Sequence, residues 1–191
     1  MTTSPGCAHE LPAPPLAAGV VVRRGVPRSQ FLLTEEVERA QTLDQHLVHA
    51  SPDQRRAVLA RVADAIARMH RLGFIHHDLY PRNMLVDEQH AIWLVDAWRG
   101  GPAPQLRGPA YDIGCLMLDG ADLFTMAEQR ALFARYFGAR SLHARAATRL
   151  LEHAQRARSS LRERLVRKPN ERRGRALQSP TWDIGALRVP R

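Results

Sequence analysis

A chain of 191 residues, 45% hydrophobic and 25% charged, is long enough to bury its own core, and one domain is the default expectation. The two cysteines, Cys7 and Cys115, stand far apart and outside any metal-binding spacing, which excludes a disulfide framework and favours a reducing cytoplasm. No apolar stretch approaches the ~20 residues of a membrane-spanning helix, and residues 1–11 lack the pattern of a secretory signal.

The net charge of +9 is concentrated towards the C-terminus. Residues 139–191 hold 14 basic and 4 acidic residues, whereas residues 1–138 hold 14 basic and 15 acidic residues. Such a basic segment suits an anionic phospholipid surface or a nucleic acid, and a solvated arginine-rich helix face is an equally good interpretation. Lys168 is the single lysine, so any mechanism that needs a lysine in the first half of the chain is excluded.

The N-terminal region predicts a leader followed by a hairpin. Residues 1–19 are rich in proline, alanine and glycine, and we expect a disordered leader there. Residues 20–24 and 30–37 are apolar runs on either side of a Gly-Val-Pro turn, which is the pattern of a β-hairpin. A folded domain is expected over residues 20–168, and a basic flexible tail over residues 169–191.

Two helix-start signals follow the hairpin. Thr42 and Gln45 have the spacing of a capping box. Ser51 is a stronger signal, because proline stands at the first helical position after it and glutamine at the third. Apolar residues then recur at helical spacing as far as about His70, which predicts one long amphipathic helix. They are Leu59, Val62, Ala63, Ile66 and Met69.

The next stretch carries the candidate chemistry. Asp78 follows His76 by two residues and precedes Asn83 by five, and a short apolar hairpin over residues 84–95 then leads to Asp96. This order of acid, amide, hairpin and acid is how a kinase-type phosphotransferase builds its catalytic loop and metal site. Asp78 is the candidate acceptor for the proton of an attacking hydroxyl, and Asn83 and Asp96 offer oxygen ligands that suit Mg²⁺.

Two further residues are candidates for support of the catalytic loop. His76 is interpreted as a buried imidazole that ties the loop to the backbone near Asp96. Asp112 follows a Gly/Pro-rich loop and opens an apolar run, so we interpret it as a helix-start acid that buttresses the loop. Residues 127–166 are expected to be largely helical.

The motif His-x-Asp-Leu-Tyr-Pro-x-Asn followed by Leu-Val-Asp resembles the lipopolysaccharide-core kinases, the Kdo/heptose kinase group of the protein-kinase-like fold. The segment 29–36 is similar to the hinge strand of that family, and the resemblance covers about residues 20–120. It implies an α+β fold that is mainly the helical C-lobe, residues 41–168. Residues 20–40 would be a remnant hairpin and hinge of the N-lobe.

The resemblance also implies ligands. Glu35, Glu36 and Val37 would be the hinge that offers backbone groups to adenine, Leu85 would form the floor of the adenine pocket, and ATP and Mg²⁺ would be the cofactors. The acceptor would be a lipopolysaccharide core sugar or another small glycolipid, at the cytoplasmic face of the inner membrane, which suits contact between residues 139–191 and an anionic membrane surface. Nucleic acid is disfavoured, because aromatic residues are not interleaved with the arginines.

Several departures from the family leave alternatives open. The sequence has no Gly-rich phosphate loop, strand lysine or helix glutamate before the hinge, so we expect weak ATP binding and slow turnover. Either the true start lies upstream, or the chain is a truncated or degenerate pseudokinase that acts as a binding module. Between Asp96 and Asp112 there is no room for a peptide-binding activation segment, which favours a sugar over a protein substrate.

A metal hydrolase is the first competing interpretation, because six histidines cluster in sequence. They are His46, His49, His70, His76, His77 and His90. No recognised ligand spacing links them, and the Gly-x-Ser-x-Gly motif of serine hydrolases is missing. Both hydrolase interpretations are therefore disfavoured.

Overall fold

The computed structural model describes residues 15–97, 99–102, 107–167 and 182–187. The strands in these ranges are β1 Pro15–Arg23, β2 Val26–Thr34, β3 Gln41–Thr42, β4 Phe74–Ile75, β5 Met84–Val86, β6 Ile92–Leu94 and β7 Gly101–Pro102. The helices are α1 Leu43–His49, α2 Pro52–Arg71, α3 Arg107–Leu123, α4 Met126–Ala139 and α5 Ala144–Arg167. The strands form three small antiparallel sheets, with orders β1-β2, β3-β5-β6 and β4-β7. This arrangement confirms the predicted α+β, mainly helical fold.

The first hairpin begins earlier than the sequence suggests. Residues 15–19, expected in the disordered leader, lie in β1, and residues 1–14 lie outside the described part of the chain. A proline at the first residue of a strand removes no ladder hydrogen bond, so Pro15 does not prevent pairing. Gly19 lies opposite Phe31, and a Cβ at Gly19 would clash with the Phe31 ring. Glycine therefore leaves room for the Phe31 ring to cover the strand.

Both faces of the β1-β2 hairpin are open to solvent. Its large apolar side chains are exposed by 52% to 69%. They are Leu16, Val20, Val21, Val22, Val26, Phe31, Leu32 and Leu33. The hydrophobic core lies instead in the helical part of the molecule, where apolar faces of α2, α3, α4 and α5 meet.

Helix α2 matches the sequence prediction closely. Ser51 Oγ accepts a hydrogen bond from the Gln54 backbone N–H at 3.3 Å, and Gln54 Oε1 accepts one from the Ser51 N–H at 2.8 Å, which completes the capping box. The helix ends at Arg71, and Gly73 follows with a φ of 77°. Because only glycine adopts that conformation without strain, the chain can turn there into β4 and the catalytic loop.

Helices α3 and α5 pack closely through small residues. A Cβ at Gly114 of α3 would lie 2.9 Å from Ala157 Cβ and 3.0 Å from the Ala154 carbonyl oxygen. Arg158 of α5 is buried at this interface and donates from Nε to the Met117 carbonyl oxygen at 2.7 Å. Within the described ranges, no helix is both long enough and apolar enough to cross a bilayer.

The C-terminal segment corrects the prediction of a flexible tail. Residues 182–187 pack on α4, whereas residues 168–181 and 188–191 lie outside the described ranges. Trp182 is 4% exposed, its ring lies 5.7 Å from that of Phe133, and its Nε1–H donates to Gln129 Oε1 at 2.9 Å. Burial of a large aromatic surface offsets the ordering cost of this short segment, although its surroundings in sequence are polar.

A single arginine joins four helices at the end of the lobe opposite the catalytic loop. Arg55 of α2 contacts Glu128 of α4 through two hydrogen bonds of 2.7 and 2.9 Å. It also donates to the carbonyl oxygens of Leu47 in α1, at 2.6 Å, and Leu123 in α3, at 2.9 Å. Because both charged side chains are largely buried, this bidentate pair fixes how the helix ends meet.

Candidate functional site

The loop after β4 and the segment after β6 both contain left-handed backbone. His77 has a φ of 64° and Asp96 a φ of 62°. Residues other than glycine adopt this region at a cost, and such strained positions cluster at functional sites. The two segments carry Asp78 and Asp96, the candidate proton acceptor and metal ligand.

His76 is fully buried and holds these two segments together. Its Nε2–H donates to the Val95 carbonyl oxygen at 3.0 Å, and its Nδ1 accepts from the Asp78 backbone N–H at 3.3 Å. Burial lowers the pKa of His76, so the imidazole is neutral with its proton on Nε2. This is the contact to the backbone near Asp96 that the sequence suggests.

Asp112 is fully buried below the catalytic loop. Its Oδ2 accepts from the backbone N–H of His76, and its Oδ1 from that of His77, both at 2.8 Å. Oδ2 also accepts from His70 Nε2 at 3.1 Å. The predicted position at a helix start is wrong, because α3 already begins at Arg107. The Gly/Pro-rich stretch hides this start, since proline fits the first turn of a helix.

Behind Asp112 lies a hydrogen-bonded chain that the sequence analysis did not identify. Arg140 Nη1 donates to the Tyr136 hydroxyl at 2.8 Å, and that hydroxyl lies 2.7 Å from His70 Nδ1. With His70 Nε2–H donating to Asp112 and the Tyr136 hydroxyl donating to His70 Nδ1, these hydrogen bonds connect Arg140 to the buried carboxylate. Burial lowers the pKa of His70 and raises that of Tyr136 to about 12, so both are neutral. In the sequence, the one indication of this chain is that His70 lies on the apolar face of α2, where a buried polar side chain needs hydrogen-bond partners.

Asn83 and Asp78 are in direct contact. Asn83 Nδ2 donates to the Asp78 carbonyl oxygen at 2.8 Å and to its Oδ2 at 3.1 Å. Asn83 Oδ1 accepts no hydrogen bond from the described part of the chain, so that oxygen remains available to a ligand. The Val95 N–H donates to the Asn83 carbonyl oxygen at 3.0 Å, which places Asn83 beside the strand that ends at Asp96.

The residues present fit a magnesium ion. The Asp96 side chain is exposed and has no hydrogen bond or ion pair with the described residues. In the same ranges, no three His, Cys, Asp or Glu side chains cluster in a way that could hold a metal. An amide oxygen and a carboxylate that leave room for water match the preference of Mg²⁺, which retains several waters. The metal role of Asn83 and Asp96 stays a prediction.

The predicted adenine-binding residues lie beside the small β3-β5-β6 sheet. Glu35 and Glu36 are exposed and Val37 is half-buried, in the connection from β2 to β3. Leu85 of β5 is partly exposed, whereas its neighbours on either side are buried. Because side chains alternate along a strand, Leu85 lies on the face of the sheet away from the core, as the floor of a pocket would require. Their adenine-binding roles remain predictions.

Within the described ranges, the clustered histidines take part in no group of three or more potential metal ligands. His70 and His76 are committed to the hydrogen bonds described above. His46 and His90 are ring neighbours 5.5 Å apart, and burial together with the His90 charge lowers the pKa of His46. This pair lacks a third ligand among the described residues.

Cys115 lies under the catalytic loop but is not reactive. The thiol is fully buried against Leu79 and Tyr80. Burial raises its pKa to about 12, so it stays protonated at neutral pH. Its role is packing.

The comparisons with known proteins match the part of the chain that contains these residues. A family model described as "Lipopolysaccharide kinase (Kdo/WaaP) family" matches residues 8–107, more than half of the chain and the part that holds Asp78, Asn83 and Asp96. A 3-deoxy-D-manno-octulosonic acid kinase of Vibrio vulnificus (strain YJ016) is 36% identical over 86 residues, 43% of this chain and 34% of the relative. A kinase of the same name from Xanthomonas euvesicatoria pv. vesicatoria (strain 85-10) is 36% identical over 92 residues, 48% of this chain and 36% of the relative. The match thus spans about a third of these curated relatives.

Proposed function

The chain belongs to the lipopolysaccharide kinase (Kdo/WaaP) family, and we propose that it carries the phosphotransfer site of an ATP-dependent kinase. The acceptor in this proposal is a hydroxyl of a lipopolysaccharide inner-core sugar, at the cytoplasmic face of the inner membrane. The observation that carries the proposal is the contact between Asp78 and Asn83 beside the strand that ends at Asp96. The names of the relatives support an acidic octulose as the sugar.

Asp78 is the proton acceptor in the proposed reaction. The acceptor hydroxyl oxygen forms a bond to the γ-phosphorus, the bond from that phosphorus to the β–γ bridging oxygen breaks, and ADP leaves with the bond's electron pair. The hydroxyl proton passes to Asp78. Asn83 Nδ2 fixes the orientation of the Asp78 carboxylate, and His76 fixes its backbone. Such preorganisation lowers the barrier because the groups need not reorient during transfer.

Asn83 Oδ1 and the Asp96 carboxylate would hold the magnesium ion. The ion would neutralise charge on the β- and γ-phosphates. Asp96 has left-handed backbone just after β6, and the hydrogen bond from His76 to Val95 fixes the residue before it. The adenine would lie on Leu85, against the backbone of residues 35–37.

Nucleotide binding tests this proposal, because the lysine-poor first half of the chain predicts slow turnover. The full chain should bind ATP only with Mg²⁺, and Asp96→Ala should abolish the metal-dependent part. Asp53→Ala is the matched control, since this exposed carboxylate lies in the first turn of α2. Equal ATP affinity with and without Mg²⁺, and in Asp96→Ala, would show that the site is no kinase site.

We extend the proposal to an anionic membrane surface for α5. Arg145, Arg149, Arg156 and Arg164 are exposed along this helix. Juxtamembrane basic side chains each contribute about 1 kcal/mol near an anionic leaflet. The full chain should therefore bind vesicles of phosphatidylglycerol more tightly than phosphatidylcholine vesicles, and salt should weaken this binding. If replacing Arg145, Arg149 and Arg156 by glutamine leaves vesicle binding unchanged, the helix face is only solvated.

A further inference from the structure

Arg82 lies beside the candidate proton acceptor, in the 3-10 turn Pro81–Asn83. Its Nη2 is 4.0 Å from Asp78 Oδ2, and its Nη1 is 3.8 Å from Asp119 Oδ2 on α3. Its guanidinium carbon lies 4.1 Å from the centre of the Tyr80 ring. Two carboxylates and an aromatic face therefore hold the cation in place.

These contacts leave the hydrogen-bonding capacity of Arg82 unused. Both carboxylate distances exceed those of hydrogen bonds. Nη1 is buried without a hydrogen-bond partner, and the side chain makes no hydrogen bond to the described part of the chain. The side chain is 36% exposed, so its remaining edge is accessible from solvent. An arginine stays charged at every physiological pH, and its planar fork matches a carboxylate.

We propose that Arg82 binds the carboxylate of an acidic sugar acceptor and thereby holds the acceptor hydroxyl beside Asp78. This inference rests on the proposed function. Asp78 and Asp119 make this side of the reacting hydroxyl negative, and an acidic sugar would be repelled there without a cation. Arg82 is the cation that pairs with Asp78 among the described residues. A bidentate contact would fix the orientation of the sugar as well as attract it.

The position of Arg82 favours the acceptor over the nucleotide. Asn83, the next residue, is directed towards Asp78 and the β5-β6 hairpin, where the predicted magnesium and adenine groups lie. Successive side chains in a 3-10 turn point about 120° apart. Arg82 accordingly contacts Asp119 on α3 rather than the hairpin. The guanidinium therefore lies between Asp78 and α3, and no contact within the described ranges joins it to the β5-β6 hairpin.

The test is a nuclear magnetic resonance titration of the full chain with 3-deoxy-D-manno-octulosonic acid and with its methyl ester, which has no charge. Wild type should bind the acid ~10–100-fold more tightly than the ester, the range expected for hydrogen bonds to a charged group. Arg82→Gln should lose this preference, and Arg82→Lys should retain only part of it. Mg²⁺-dependent ATP binding should be unchanged in both variants. Arg56→Gln, an exposed arginine about 20 Å along α2 from the catalytic loop, is the control.

Three results would overturn the inference, and each is distinct from failure of the kinase proposal. Wild type that binds acid and ester equally has no carboxylate site. If the Arg82→Gln variant binds ATP more weakly but still prefers the acid to the ester, the guanidinium contacts the nucleotide and not the sugar. Wild type that binds neither sugar also refutes the role of Arg82, whereas Mg²⁺-dependent ATP binding that needs Asp96 would still support the kinase site.

Discussion

Replacing Asp112 by asparagine tests the buried acid below the catalytic loop. The substitution keeps the shape of the side chain but removes its charge and one acceptor. Oδ2 accepts two hydrogen bonds, from His70 Nε2 and the His76 N–H, and Oδ1 accepts one, from the His77 N–H. The asparagine oxygen should therefore take the Oδ2 position, which turns its amide N–H₂ towards the His77 N–H. That backbone donor then has no acceptor.

The expected loss in the free energy of unfolding is about 3–5 kcal/mol. Hydrogen bonds to a charged group contribute about 1.5–3 kcal/mol, and a buried donor without a partner costs about 1–3 kcal/mol. For a domain of this size, the melting temperature should fall by roughly 6–20 °C.

Urea unfolding followed by circular dichroism measures this loss. The m-value, the dependence of the free energy of unfolding on urea concentration, should stay unchanged. Hydrogen exchange adds a local readout, because the His77 amide should lose more protection than the His76 amide. Asp53→Asn, at an exposed carboxylate, should change stability by less than about 0.5 kcal/mol. A loss below about 1 kcal/mol for Asp112→Asn, or equal protection of the two amides, would refute the assigned hydrogen bonds.

Three further predictions concern the rest of the lobe. Trp182→Ala should lower the free energy of unfolding by about 3–5 kcal/mol in urea, whereas an unchanged midpoint would show that the segment does not stabilise the lobe. The hydrogen bond from Arg55 lowers the pKa of Glu128 below its ordinary 4.5. The ion pair therefore stabilises the fold above that value, and this stabilisation is lost as pH falls through the pKa of Glu128 in the folded state. In Arg55→Met, the urea midpoint should consequently change less between neutral pH and about pH 3 than it does in the wild type. In a Cys7→Ser background, the Cys115 thiol should react with a disulfide reagent at the unfolding rate, and rapid labelling under native conditions would contradict its burial.

The sequence was informative wherever a feature depends on residues close together in the chain. The capping box at Ser51, the turn glycine at Gly73 and the spacing from Asp78 to Asn83 each encode local geometry, and the structure has the corresponding elements. The hairpin between Asn83 and Asp96 also follows from two short apolar runs on either side of a polar turn. The sequence therefore predicts that the loop with Asp78 and the segment with Asp96 approach each other.

Features that depend on distant residues were missed. Tyr136, with Arg140 bonded to its hydroxyl, reaches His70 from a helix some sixty residues further along the chain, and no local spacing predicts that contact. Trp182 follows a polar, arginine-rich stretch of sequence, and its burial depends on packing against Phe133 of α4. The start of β1 at Pro15 depends on pairing with the opposite strand, which overrides the composition that suggested disorder.

The open β1-β2 hairpin has a consequence for the behaviour of the protein at high concentration. Within the part of the chain that the structure describes, both of its edges present unpaired backbone groups next to exposed valine, leucine and phenylalanine side chains. A two-stranded ribbon has little stability of its own, and such edges are templates for pairing with strands of other chains. Aggregation of this protein should therefore begin at the hairpin while the helical lobe is still folded. A charged residue in place of Leu32 should slow it without reducing the stability of the lobe.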